Sequence, residues 1–179
     1  MGMMIMLYFV KVAEKSLILK LMKITIHTDG SAKGNPGKGG YGIVLSAGKH
    51  YKEISQGFRY TTNNRMELLA VIVGLETLKK PGFEVLVVSD SKYVIDAVKK
   101  GWLFQWQKKN FKGKKNSDLW KRFLKIYAQH QVSFRWIKGH AGHPQNEKCD
   151  QLAVMASEEP DLQVDDGYEN LSENNQIFK

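Results

Sequence analysis

FEVLVVSD, residues 83–90, is a short, almost continuously apolar run that ends on an acid. A strand with one wet face would alternate apolar and polar residues. The lack of alternation here marks a strand covered on both faces, the kind found in parallel sheets with helices above and below. Upstream, KITIHTDG (23–30) does alternate, with Ile24, Ile26 and Thr28 on one face and Asp29 ending the strand on the other. Asp29 and Asp90 therefore both stand at strand ends. SAKGNPGKGG (31–40) is punctuated as a loop, while YGIVLSA (41–47) and HYKEISQGFRY (50–60) read as two more strands joined as a hairpin. Three consecutive strands make an antiparallel meander.

Thr62, Asn63 and Asn64 offer caps for a helix with the body RMELLAVIVGLETLKK (65–80), stopped by Pro81-Gly82. After Asp90, SKYVIDAVKK (91–100) reads as a short helix, and the stretch to Asn116 is rich in lysine and tryptophan with little periodicity. Asn116 or Ser117 caps a further helix in which Leu119, Phe123 and Tyr127 share a face. VSFRWI (132–137) is a fifth strand, GHAGHP (139–144) a loop, and QNEKCDQLAVMAS (145–157) a helix with Asp150 in its early turns. Strands first, then alternating helices and strands, predict one α/β domain over residues 22–160. Its mixed five-stranded sheet has three antiparallel strands followed by parallel ones, with helices packed on it.

The flanks read differently. Residues 1–21 are apolar but interrupted by Lys11, Glu14 and Lys15, with no small-x-small cleavage site and too short an apolar run to span a bilayer. They are expected to be a loosely attached extension or a misjudged start. Residues 161–179 carry Asp161, Asp165, Asp166, Glu169 and Glu173 and are expected to form a mobile acidic tail.

With 179 residues, 42% of them hydrophobic, the chain can bury one ordinary core. A formal charge of +9 and a pI near 9.5 favour a polyanionic partner, because basic clusters release the counterions condensed on phosphates. The single cysteine, Cys149, needs no oxidising compartment, so a cytoplasmic setting is expected. No membrane association and no sustained heptad pattern are read, and a monomer is the expectation. Gly37, Gly39 and Gly42 match the spacing of a dinucleotide-binding loop, but they lead into a strand where that motif must open a helix.

Four acids stand where one fold can gather them: Asp29 and Asp90 at strand ends, Glu67 on the first helix and Asp150 on the last. Clustered carboxylates without cysteine or paired histidine ligands select hard, oxygen-preferring ions such as Mg²⁺ or Mn²⁺. Two such ions can hydrolyse a phosphodiester. Read singly, Asp29 is also a turn residue before Gly30, and Asp90 a helix cap before Ser91. Glu67 resists that reading, since an unpaired charge in an otherwise apolar helix is costly. Glu76, on the opposite side of the same helix, is read as solvated surface.

TDGSAKGNPGKGGYG (28–42), TTNNRMELLAVIVGLE (61–76), SDSKYV (89–94) and KGHAGHPQNEKCDQLA (138–153), in that order, resemble bacterial ribonuclease H of type 1. The likeness runs from about Met22 to Ser157, and its Gly-His-x-Gly-His-Pro-x-Asn-Glu block is highly specific. It implies the ribonuclease H-like fold and cleavage of the RNA strand of RNA–DNA hybrids, leaving 3′-hydroxyl and 5′-phosphate ends. It also implies that Asp29, Glu67, Asp90 and Asp150 are catalytic acids holding two Mg²⁺ ions, with Mn²⁺ a possible substitute. His140 matches a loop histidine that assists proton transfer or product release, for which a near-neutral pKa is suited. His143 reads as structural, and Cys149 as a small apolar residue.

Lys99 to Lys125 contains ten basic residues and Asp118 as its one acid, interleaved with aromatics. A lysine run is ordinarily solvated surface, and Trp102 and Trp106 could simply pack one helical face. The resemblance matches this stretch to a basic protrusion that grips the DNA strand. Lys108, Lys109, Lys112, Lys114 and Lys115 would then contact phosphates, with Trp102 and Trp106 lining the channel. A hybrid is told from its homoduplexes by the 2′-hydroxyls of one strand. Asn35, Asn63, Asn64 and Ser91 or Gln105 are short polar groups able to test for them, and the resemblance puts Thr62 by a DNA phosphate. Lys92 departs from the family's common glutamine. Rival readings are a related metal nuclease for duplex DNA, which cleavage of that duplex would favour, and a non-catalytic hybrid-binding module, for which a missing acid would be the sign.

Overall fold

The structure is a computed structural model that describes residues 23–170, so the apolar extension and the last nine residues lie outside the described part. Its sheet contains β1 (Ile24–Gly34), β2 (Gly37–Ala47), β3 (His50–Thr61), β4 (Glu84–Ser89) and β5 (Gln131–Trp136) in the order β3-β2-β1-β4-β5. β2 pairs antiparallel with β1 and β3, whereas β4 runs parallel to both β1 and β5. The architecture is the mixed five-stranded sheet expected. β4 is central among the parallel strands, and its Val85 and Val87 are fully buried, as its unbroken apolar run requires.

The sheet is accompanied by helices α1 (Asn63–Glu76), α2 (Lys92–Lys99), α3 (Trp102–Lys108), α4 (Ser117–Tyr127) and α5 (Pro144–Glu158). α1 lies on one face of the sheet against β1 and β2, with α4 packed against it, and α5 covers β1, β2 and β3 on the other. Ile26, Ile43 and Val87 meet Leu68, Ile72, Leu75, Trp120 and Phe123 in the core. No helix among the described residues is long and apolar enough to cross a membrane.

Three features differ from the reading of the sequence. SAKGNPGKGG is strand on both sides of a two-residue turn at Asn35-Pro36, so Asp29 sits within β1 instead of at its end. Glycines of β2 and β3 are packing residues: a Cβ on Gly40 would collide with the carbonyl oxygen of Ala153, one on Gly42 with that of Cys149, and one on Gly57 with that of Ala156. α1 stops at Glu76, where the Thr77 hydroxyl donates to the Val73 carbonyl (2.9 Å), a side-chain bond that competes with helix continuation. Residues 161–170 do not behave as a tail. They bridge to β3 through Gln163, form a helical turn at 166–170, and bury Asp165 against Arg65. A run of acids reads as solvated only until one of them finds a buried cation.

His130 stacks on Phe83 (centroids 6.0 Å apart, 20° between planes), with neither ring nitrogen hydrogen-bonded. Burial lowers its pKa below the usual 6.5. The unfolded chain then takes up the proton more readily, so this contribution to stability is present above about pH 6.5 and is lost as pH falls toward the folded value. The stability of the parent relative to His130→Phe is expected to fall as pH drops from about 7 to 5, measured by urea unfolding of both proteins at each pH.

Candidate active site

The sheet's switch from antiparallel to parallel pairing brings the four acids together. β1 carries Asp29, and Asp90 follows the last residue of its parallel neighbour β4. α1 presents Glu67 across Gly30, where a Cβ would collide with the α1 backbone at Met66 and Glu67. α5, seated deeply on the glycines of β2 and β3, brings Asp150 in from the other face.

Neutral donors fix the carboxylates. The backbone N–H of Gly30 donates to Asp29 Oδ1 (2.7 Å). Asn63 Nδ2 donates to Glu67 Oε1 (2.8 Å) and Ser91 Oγ donates to Glu67 Oε2 (2.6 Å). Asn146, buried at the start of α5, donates to Asp90 Oδ2 (3.4 Å), and the Trp136 indole donates to the Asp90 carbonyl (2.9 Å). Gly139 passes so close to the Asp90 carboxylate that any side chain there would strike it.

The cluster is electrically unfinished. No ion pair among the described residues involves any of the four acids. Burial, and then the neighbouring charges of Asp90, Asp150 and Glu67, push the Asp29 pKa up to about 8, although the Gly30 N–H opposes them. Burial likewise raises Glu67, opposed by the Ser91 hydrogen bond. A divalent cation would relieve this repulsion. Among the described residues no three acidic, histidine or cysteine side chains converge into a ready-made cage.

The remaining predicted residues occupy four places. Asn35 accepts from the Asn63 backbone N–H (3.2 Å), so Asn35, Thr62, Asn63 and the exposed Asn64 share one rim between the β1–β2 turn and the start of α1. Ser91, read as a substrate contact, is 3% exposed and turned inward, bonding Glu67 and capping α2 at the Val94 N–H (3.2 Å). His140 is exposed, in a left-handed backbone conformation one residue beyond Gly139.

In the basic stretch, Lys108, Lys109, Lys112, Lys114 and Lys115 are all exposed on α3 and the loop after it. Asn110, Phe111, Gly113 and Asn116 shape that loop with positive φ, and Phe111 anchors it in the core. Trp106 is half-buried edge-on against Trp120 (5.7 Å), with the Lys114 ammonium over its ring (5.1 Å). Trp102 is 42% exposed beneath the Lys100 ammonium (4.9 Å). Lys92 lies over the Trp136 ring (5.0 Å), beside the acids.

Reading the sequence missed Asn146 and the trio of buried Arg65 and Asp165 with half-buried Asp118. One signal was available for the trio: Arg65 leads the apolar face that continues through Leu69 and Val73, and a cation on such a face demands buried partners.

This sheet order, with acids converging across it beside a lysine-bearing arm, is the architecture of a hydrolytic nuclease, and the relatives agree. The RNase H family model matches residues 22–158, and the chain belongs to the ribonuclease H family. It is 54% identical over 150 residues to ribonuclease H of Desulforamulus reducens, covering 81% of this chain and 94% of that one. It is 51% identical over 155 residues to ribonuclease HI of Shewanella oneidensis, covering 84% and 97%. Among solved structures it resembles LC9-RNase H1, a type 1 RNase H with the type 2 active-site motif (TM-score 0.69, 30% identity, 76% of this chain and 72% of that one). It also resembles LC11-RNase H1 in complex with an RNA/DNA hybrid (TM-score 0.57, 28% identity, 74% and 95%). These relatives are ribonuclease H enzymes, and this chain is a ribonuclease H of the type 1 branch. The family uses divalent metal ions.

Proposed function

We propose that this enzyme cuts the RNA strand of RNA–DNA hybrids without sequence preference, leaving 3′-hydroxyl and 5′-phosphate ends. Asp29, Glu67, Asp90 and Asp150 would hold two Mg²⁺ ions, with Mn²⁺ a possible substitute. The observation that carries this reading is the gathering of four acids that no ion pair among the described residues balances, held in orientation by Asn63, Ser91, Asn146 and the Gly30 amide. Ions so held would supply Lewis-acid activation of the attacking water and stabilisation of the leaving oxygen. The chain supplies everything else. Asp29 and Glu67 carry charge at the point of reaction, and Ser91 and Asn63 keep both Glu67 oxygens aimed. His140, on an exposed loop next to the glycine that touches Asp90, would carry a proton or help the product leave.

The hybrid would lie along the rim of Asn35, Thr62, Asn63 and Asn64, which tests for 2′-hydroxyls, while Lys108, Lys109, Lys112, Lys114 and Lys115 take phosphates beside Trp102 and Trp106. The hybrid-bound relative supports this choice of substrate over duplex DNA. The enzyme is proposed to act as a monomer in the reducing cytoplasm. Replacing Lys112, Lys114 and Lys115 together by alanine is expected to raise the hybrid KM about 10-fold near physiological salt, with kcat unchanged. The slope of log affinity against log salt should fall by about one for each phosphate that a lysine no longer neutralises.

The deciding experiment is cleavage of end-labelled RNA–DNA hybrid, duplex RNA and duplex DNA with Mg²⁺ and with EDTA. Metal-dependent cutting confined to the RNA strand of the hybrid is the expected result. Cutting of duplex DNA would make this a DNA nuclease, and tight hybrid binding without cutting would make it a binding module.

A further inference from the structure

We propose that residues 161–170, beyond the 22–158 span matched by the family model, form a strap that fixes the first turn of α1 and thereby aims Glu67, with Asp165 as its positioning residue. The inference rests on the role of Glu67 given above. α1 begins without the usual anchors: its N-cap Thr62 makes no side-chain cap bond, and no acid stands in its first turn. Arg65 is held there instead. Its Nε and Nη2 donate to the two Asp165 oxygens (2.7 Å each), and its Nη1 and Nη2 donate to Asp118 of α4 (3.0 and 2.7 Å). Arg65 is 1% and Asp165 6% exposed, so both charges are spent inside the protein. Thr61, the residue before the N-cap, also donates to Asp165 (2.6 Å). Asp165 thus clamps the chain on both sides of the helix start, two residues ahead of Glu67.

The strap is tied to the sheet as well as to the helix. Gln163 exchanges backbone bonds with the β3 edge, accepting from Arg59 (3.0 Å) and donating to Gly57 (2.9 Å). Farther along, Tyr168 lies against Tyr60 (5.7 Å) and under the Arg65 guanidinium (5.8 Å), and Glu169 pairs with Arg59 (2.8 Å). Between strap and helix remains a cavity of about 340 Å³, bordered by Tyr41, Leu69, Val73, Leu119 and Arg122. Val164, Asp165, Asp166 and Gly167 of the strap border this hollow, and the strap's hydrogen bonds to α1 run through Asp165. A bidentate carboxylate–guanidinium pair suits the task, since it fixes angle as well as distance.

The test compares Asp165→Asn, Asp165→Glu and a chain ending at residue 160 with the parent, at a temperature where circular dichroism shows each one folded. Removing a group that orients a metal-holding carboxylate typically costs about 10–100-fold. Asp165→Asn and the shortened chain should therefore lose about 10-fold or more in kcat and in Mg²⁺ affinity by calorimetry, with the hybrid KM within about twofold of the parent. Asp165→Glu should recover part of both. If the shortened chain does not fold, the isosteric Asp165→Asn decides alone. Folded Asp165→Asn with parental kcat and Mg²⁺ affinity would overturn the proposal and leave the strap a purely stabilising element. Glu67→Gln, run alongside, separates the two claims: undiminished cleavage by that variant overturns the acid-site reading, and the strap's role with it.

Discussion

Asp29→Asn is expected to lower kcat on a hybrid roughly 1,000-fold while making the metal-free protein more stable at neutral pH. The first effect follows from losing several kcal/mol of transition-state stabilisation at about 1.4 kcal/mol per factor of ten. The second comes from burial and three neighbouring acids, which raise the Asp29 pKa from 3.8 to about 8. Between those values the folded protein holds a proton that the unfolded chain has released, so stability falls as pH rises through the window, and the loss is complete above the folded value. Asparagine has no proton to release. In thermal unfolding without metal at pH 8, the variant should gain about 1–2 kcal/mol, or about 2–8 °C in Tm, and the gain should vanish near pH 4. Added Mg²⁺ should favour the parent instead, because it binds the ionised acids. A variant that loses activity and stability together at pH 8 would mean that Asp29 is a structural residue, not a strained functional one.

Gly42→Ala should have the largest effect on folding. The new methyl group would enter the space of the Cys149 carbonyl oxygen, which belongs to helix backbone and cannot rotate away. Either α5 lifts from the sheet or β2 bends. Overpacking of this kind costs about 1–3 kcal/mol or more, which corresponds to a Tm lower by about 2–12 °C. Asp150 follows Cys149 directly, so whatever variant remains folded should also cleave poorly. Gly82→Ala is the informative contrast: its backbone is left-handed (φ +90°), but nothing lies within 4 Å of its missing Cβ. It should lose only the modest cost of φ strain and keep its activity. Equal Tm values for Gly42→Ala and the parent would show that α5 rides higher on the sheet than described.

The parts of this fold that could be read from the chain are those in which one residue's neighbours in sequence carry the signal. β4 declared itself by an unbroken apolar run, and β1 by the alternation of Ile24, Ile26 and Thr28. Glu67 stood out because its helix gives a charge no other reason to be there. The harder features depend on contacts between distant segments. Gly40 looks like part of a loop until α5 is laid across it and its neighbour Gly42, after which small residues are the only ones the strand can use at those positions. Ser91 has the chemistry of a substrate contact, yet its hydroxyl faces Glu67 of α1, 24 positions earlier in the chain. Asp165 is one acid among several in a polar stretch, and its burial depends on an arginine 100 positions earlier. The family resemblance located the four acids through motif order, whereas the neutral groups that orient them became visible only in three dimensions.

The fully buried Cys149 has a practical corollary. It is the chain's one sulfhydryl, and burial pushes its pKa up to about 12, so at neutral pH it offers essentially no thiolate to an alkylating reagent. A cysteine introduced at an exposed position of the lysine-rich loop, such as Lys112→Cys, would therefore take a maleimide dye in an otherwise unaltered background. The enzyme comes prepared for single-site fluorescence, in which the arm's approach to a nucleic acid can be watched separately from catalysis.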